Sequence, residues 1–181
     1  MFALIHNGTL AQYPYTVTDL RRANPDTSFS DNPSDATLAE FGVHRVFFST
    51  QPQAGPGQVV VEGAPVFDGE RWNQTWVVRD KTAAEVAAEM QALQASIVQA
   101  TQDRLDAFAR ERHYDDIKSA SDYAGCSVPK FDVEGAYCRD ARALTWDALY
   151  RILGEIQAGT RPVPTGFADI EPDLPALVWP V

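Results

Sequence analysis

Three histidines, two cysteines and two close pairs of carboxylates are the side chains whose types could support catalysis or metal binding. His6, His44 and His113 are spread over three predicted elements, so each is expected at a strand edge or helix end rather than in a ligand set. Asp115-Asp116 and Asp169/Glu171 are spaced as acid–base or metal pairs are. The first pair, however, sits where a short helix should start, a place its charge favours. The second lies in a Pro-rich surface run. A glycan-cleaving enzyme using Asp115 and Glu171 would need both on a rigid scaffold, and both fall on loop or helix-end positions. Cys126 and Cys138 lack zinc-site spacing and are too few for a disulfide framework; two buried thiols are expected, with one disulfide as the alternative. The chain contains no P-loop, G-x-G-x-x-G, H-E-x-x-H, C-x-x-C or G-x-S-x-G. Trp72, Trp76, Trp146 and Trp179 could stack on a sugar, but Trp76 and Trp146 fall on predicted apolar faces. Only Trp72, beside a hairpin tip, is expected to be exposed. No catalytic residue, cofactor or metal site is therefore predicted, and the chain is not expected to be an enzyme.

The 181 residues include 15 basic and 25 acidic side chains, a formal net charge of −10. A protein of that sign gains no counterion release from phosphates, so neither nucleic acid nor an anionic membrane is an expected partner. Met1 to Ile5 is apolar but has no basic leader and is broken by His6-Asn7-Gly8, so no secretory signal is read. No apolar run approaches the ~20 residues that span a bilayer.

The elements that must position these residues fall into an α+β pattern. Met1 to Ile5 and Thr9 to Tyr13 read as a strand pair turned at Asn7-Gly8, with Pro14 ending the pairing because it has no N–H to donate. Val17 to Ala23, capped by Thr16 or Thr18, and Asp35 to Phe41, capped by Ser34 or Asp35, read as short helices. Phe29 is a predicted anchor between them. Strands resume at His44 to Ser49, where His44, Val46 and Phe48 should share a face. Gln58 to Glu62, Ala64 to Phe67 and Arg71 to Arg79 follow, the last two joined by an Asp68-Gly69 hairpin. Residues 1–79 thus form a small β-rich domain whose expected core is Leu4, Leu20, Leu38, Phe41, Val46, Val60 and Trp76.

Lys81 to His113 contains no Gly or Pro and is predicted to be one helix of roughly 45–50 Å. Val86, Met90, Leu93, Ile97, Leu105 and Phe108 repeat in steps of three and four, with Thr101 filling the one gap. Residues 80–103 read as a connecting helix suited to a coiled coil, and 104–181 as a helical C-terminal domain. In that domain a second long helix is predicted from about Phe131 to Ala158. Its stripe is Tyr137, Ala141, Leu144, Ala148, Ile152 and Ile156, and Asp147 and Arg151 are spaced for an ion pair. From Arg161 onward five prolines argue against regular structure, yet Phe167, Ile170, Leu174, Leu177, Val178 and Trp179 are too apolar for a free tail. This stretch is expected to lie extended across a helical pair.

Two stretches carry a resemblance. The first is Tyr13-Pro-Tyr-Thr-Val-Thr-Asp-Leu-Arg-Arg-Ala-Asn-Pro-Asp-Thr-Ser-Phe29, continued by Leu38-Ala-Glu-Phe-Gly-Val43 and Gln74-Thr-Trp-Val-Val78. The second runs from Arg104-Leu-Asp-Ala-Phe-Ala109 through Tyr114-Asp-Asp-Ile-Lys-Ser-Ala120, Val128-Pro-Lys-Phe131, Ala136-Tyr-Cys138 and Thr145-Trp-Asp-Ala-Leu-Tyr150. It continues with Gly159-Thr-Arg-Pro162 and Ile170-Glu-Pro-Asp-Leu-Pro175. Together they resemble small tail proteins of tailed bacteriophages and prophages, the second being similar to a domain of unknown function found at the C-terminus of tail-fibre and fibre-associated proteins. Ser28-Phe29-Ser30 stands where that pattern has Ser-Phe-Pro. The resemblance implies a virion tail component made in the host cytoplasm, with other tail proteins (fibre, baseplate or distal tail) as partners. It transfers no catalytic residue.

Two functional expectations follow. In the first, a structural tail protein serves tail attachment or host adsorption and self-associates through the long helix, with a trimer as the expected order. Its candidate interface is Val86, Met90, Leu93 and Ile97, while Leu105 and Phe108 pack into their own domain. In the second, a fibre-assembly chaperone is not retained in the virion, and the stripe is covered within one monomer by the C-terminal helix and the Pro-rich tail.

Overall fold

The computed structural model describes residues 1–180, which form an α+β chain of two compact units, one covering residues 1–82 and the other beginning at Ala83.

In the first unit, β1 (Phe2–His6) and β2 (Thr9–Tyr15) form an antiparallel pair. Asn7 (φ 50°) and Gly8 (φ 75°) make the turn, the two left-handed residues that match the twist of a tight hairpin. Contrary to expectation, Pro14 does not end the pairing: Phe2 still faces Tyr15 beyond it, after a register shift. The sheet explains this, because β2 has β1 as its only neighbour and is an edge strand, where a missing N–H costs no ladder bond. Helix α1 (Val17–Ala23) starts at Thr16, whose hydroxyl accepts from the Asp19 N–H while the Asp19 side chain accepts from the Thr16 N–H. The hydrogen bond from the Thr16 hydroxyl is the largest influence holding the Asp19 carboxyl below its ordinary range. Helix α2 (Asp35–Glu40) is capped by Ser34.

Strand β3 (Val43–Phe47) pairs antiparallel with β1 and then, at Val46 and Phe47 only, parallel with β5 (Trp72–Asp80). The expected alternation fails there: Val43 and Val46 are buried, while Phe48 lies beyond the strand and is exposed. The alternation breaks where pairing with β1 ends and pairing with β5 begins. The two predicted strands around Gly63 are one, β4 (Gln58–Phe67), with a register shift between Gly63 and Val66. Tyr15, Leu20, Phe29, Leu38 and Val43 form the core, with Phe2, Leu4 and Phe41 packed against it. Phe29 is the expected anchor, edge-on to Phe41 at 5.0 Å. Val60 and Trp76, expected inside, are only half-buried.

In the second unit, α3 (Ala83–Arg110) is a single helix of 28 residues, or about 42 Å. It stops in a turn at residues 111–113 that leaves His113 left-handed at φ 67°. Asp116 caps α4 (Ile117–Ser121) in a reciprocal bond with Ser119. Helix α5 (Pro129–Gln157) starts two residues before the predicted point, with Pro129 in its first turn where no N–H is needed. Its buried stripe is Glu134, Cys138, Ala141, Thr145, Ala148 and Ile152, in place of one through Tyr137 and Leu144; Leu144 is exposed. At Gly135 the neighbouring backbone comes too close for any side chain. A Cβ on Gly135 would lie 2.4 Å from the Ala124 nitrogen. Arg151 pairs with Glu155, one turn on, at 3.0 Å instead of with Asp147, and Arg161 lies 3.9 Å from the same carboxylate.

Two 3-10 turns, Phe167–Asp169 and Glu171–Asp173, interrupt the otherwise extended Pro-rich segment. Ile170 and Leu174 join Ile97, Leu149 and Ile152 in one core cluster. Leu177 and Trp179 pack on a second, built from Leu105, Phe108, Ile117, Ala120 and Cys138.

Candidate functional site

The stripe on α3 has two fates along its length. Val86 and Met90 are 46% and 37% exposed, Leu93 is half-buried, and Ile97 is 1% exposed. Ile97 lies under Leu149, Ile152 and Ile170 of its own unit. It is therefore a core residue, which corrects its expected place on a partner-facing surface. Thr101, in the gap of the stripe, is fully buried and returns its hydroxyl to the Ile97 carbonyl at 2.9 Å. That bond lets a polar residue sit in the core without an unmet donor. Leu105 and Phe108 are buried as the sequence predicts.

Where the stripe emerges, the first half of α3 and the last turns of α5 flank an open groove of about 760 Å³. Met90, Leu93, Tyr150, Leu153 and Ile156 supply its apolar walls, and Gln91, Gln94 and Gln157 its polar rim; no residue lining it is charged at neutral pH. In a chain of net charge −10, a neutral surface is where a second acidic molecule meets least repulsion. Val86, one turn before the groove-lining Met90, is exposed, so a projecting apolar side chain and an apolar recess lie close together on one helix. An arrangement of that kind suits association between copies of the chain.

The residues that could have done chemistry have other duties. Asp116 caps α4, while at Asp115 it is the backbone carbonyl that accepts from Arg110 (3.1 Å). Asp169 accepts both the N–H and hydroxyl of Thr165, and Glu171 lies 3.5 Å from Arg104. The two cysteines are unpaired; Cys138 is buried, whereas Cys126, expected to be buried, is only half so. Burial and the nearby Glu134 charge push the Cys138 thiol up to about 11, so it stays protonated at neutral pH. Trp72, expected to be exposed, is half-covered against Phe67 at 5.5 Å. Among the described residues no group of three His, Cys, Asp or Glu side chains could hold a metal, and no helix is long and apolar enough to cross a membrane.

One cluster escaped the sequence reading. Glu134, 2% exposed, pairs with Arg112 and accepts the Tyr114 hydroxyl at 2.7 Å. Burial alone would raise the Glu134 carboxyl; the Tyr114 and Arg112 bonds outweigh it and hold the carboxyl below its ordinary value. The Tyr114 phenol is pushed up, first by burial and then by its bond to Glu134. The available signal was position: Glu134 stands four residues before Cys138 on the buried stripe of α5.

No family model matches the chain, and no curated protein or solved structure matches it.

Proposed function

We propose that this chain is a structural component of a tailed-phage virion, a tail-fibre or distal-tail protein that acts in tail attachment or host adsorption and performs no catalysis. The carrying observation is the exposed Val86/Met90 end of a long helix beside an uncharged groove. Such a surface offers apolar contact and shape, the means by which one chain holds another. The phage-like stretches supply the tail context, and the partners proposed are other tail proteins and further copies of the chain.

A second reading, an assembly chaperone that leaves before the particle matures, draws on a specific feature: from Ile97 to Phe108 the stripe is covered by α5 and the Pro-rich segment of the same chain. Mass spectrometry of infected cells and of purified particles separates the two. Presence in the particles supports the structural role. Presence in cells together with fibre proteins, but not in particles, supports the chaperone. Association with no tail protein in either sample contradicts both.

A further inference from the structure

The aromatic groove at the end of α3 is filled by the chain itself. The Trp179 indole lies on Phe108, with centroids 4.2 Å apart and planes 11° from parallel, and the Arg112 guanidinium sits over the indole at 4.9 Å. Tyr114 and Tyr137 stand at 6.3 and 6.2 Å. Side chains hold the entering segment at each step. Arg104 donates to the Pro175 carbonyl (2.9 Å), and the Tyr137 hydroxyl accepts the Val178 N–H (2.7 Å). Arg112 donates to the Pro180 carbonyl (3.4 Å), and the indole N–H donates to Glu111 (3.2 Å). Leu177 packs inward with Trp179, while Val178 between them is exposed. Alternate side chains in pockets, with groove donors on the peptide carbonyls, is how aromatic grooves read extended Pro-rich peptides.

We propose that this groove is a recognition site for an extended Leu-x-Trp-Pro segment, and that its second occupant is Leu177–Pro180 of another copy of the chain. The fit names the occupant, since every copy carries the one segment already seated there. Among the described residues, the backbone from Pro175 onward makes no backbone–backbone bond, so release breaks side-chain contacts alone. A tethered segment competes at an effective concentration on the order of millimolar. Exchange is therefore a minor event in dilute solution and a major one in a crowded assembly. It joins copies by a contact separate from the α3–α5 groove, so either contact can fail without the other.

The test titrates the peptide Pro-Ala-Leu-Val-Trp-Pro into full-length Trp179→Ala and into wild type, read by calorimetry. Saturable binding to Trp179→Ala that is at least ~10-fold weaker for wild type, whose groove is filled, is expected from that competition. No binding to folded Trp179→Ala, or equal binding to both proteins, overturns the site. If Trp179→Ala loses its helical circular dichroism, Trp179→Leu, which keeps an apolar anchor, takes its place. Full-length wild type mixed with full-length Trp179→Ala, both carrying Met90→Glu to silence the other groove, should give a minor 1:1 complex by native mass spectrometry. Peptide binding without that complex overturns the second copy as occupant.

Discussion

Arg112 and Glu134 form an ion pair between the turn that follows α3 and the second turn of α5, with Glu134 almost fully buried and Arg112 about one-third exposed. Breaking such a pair harms more than its formation helps, because the buried partner is left charged and alone. Arg112→Ala should therefore destabilise the helical unit by about 3 kcal/mol. Glu134→Gln keeps the shape and a hydrogen-bond acceptor for Tyr114, and should cost about 1–2 kcal/mol. Urea unfolding of both variants measures the order, and equal losses would remove the asymmetry.

The same pair sets an acid limit. The Glu134 carboxyl is held below its ordinary value in the fold, so folded protein binds that proton less readily than unfolded chain does. Its contribution is complete above the ordinary carboxylate range and is lost as pH falls through the depressed folded value. Thermal melts from pH 7 down to pH 3 should show wild type losing more stability than Glu134→Gln. Parallel curves would show that this carboxylate is not the group responsible.

Gly135 sits inside α5, where propensity alone would favour alanine by up to about 1 kcal/mol. Space decides otherwise, because an added Cβ would meet the backbone of Ala124, Tyr123 and Ala120 at 2.4, 2.7 and 3.0 Å. Gly135→Ala should lower stability by about 2 kcal/mol or more, as overpacking against backbone does. A stabilised variant in thermal melts would contradict the close α4–α5 approach.

Ile97 and Met90 test where the core ends along α3. Ile97→Ala removes a buried side chain and should cost about 2–5 kcal/mol in urea unfolding. Met90→Ala, at an exposed site, should stay within about 0.5–1 kcal/mol. A large loss for Met90→Ala would place Met90 in the core instead.

Local rules made much of the fold legible. The Thr16 and Ser34 caps, the Asn7-Gly8 turn and the long break-free helix all depend on residues within a turn of one another. Misreadings arose where a distant element decides. Pro14 is tolerated because β2 is an edge, which only the strand order reveals. The buried face of α5 carries small and polar residues such as Gly135, Cys138 and Thr145, and at Gly135 the backbone of Ala124 leaves no room for a side chain, so apolar counting chose Leu144 wrongly. The stripe of α3 was half legible: the three-four repeat picked out Val86, Met90, Leu93 and Ile97. It could not tell that Ile170 and Leu174, some seventy residues on, cover Ile97. Glu134 is not legible in this way because its partners Arg112 and Tyr114 lie 22 and 20 residues before it, in the connection between α3 and α4.

Self-association through the open end of α3 is the central claim, and light scattering on full-length protein across a concentration series reads it directly. Wild type should give a mass that is a multiple of the 19.9 kDa chain, with a trimer as the expected order. Met90→Glu, which sets a charge in the uncharged groove, should be monomeric with its melting temperature unchanged. A wild type that stays strictly monomeric at every concentration would contradict the account.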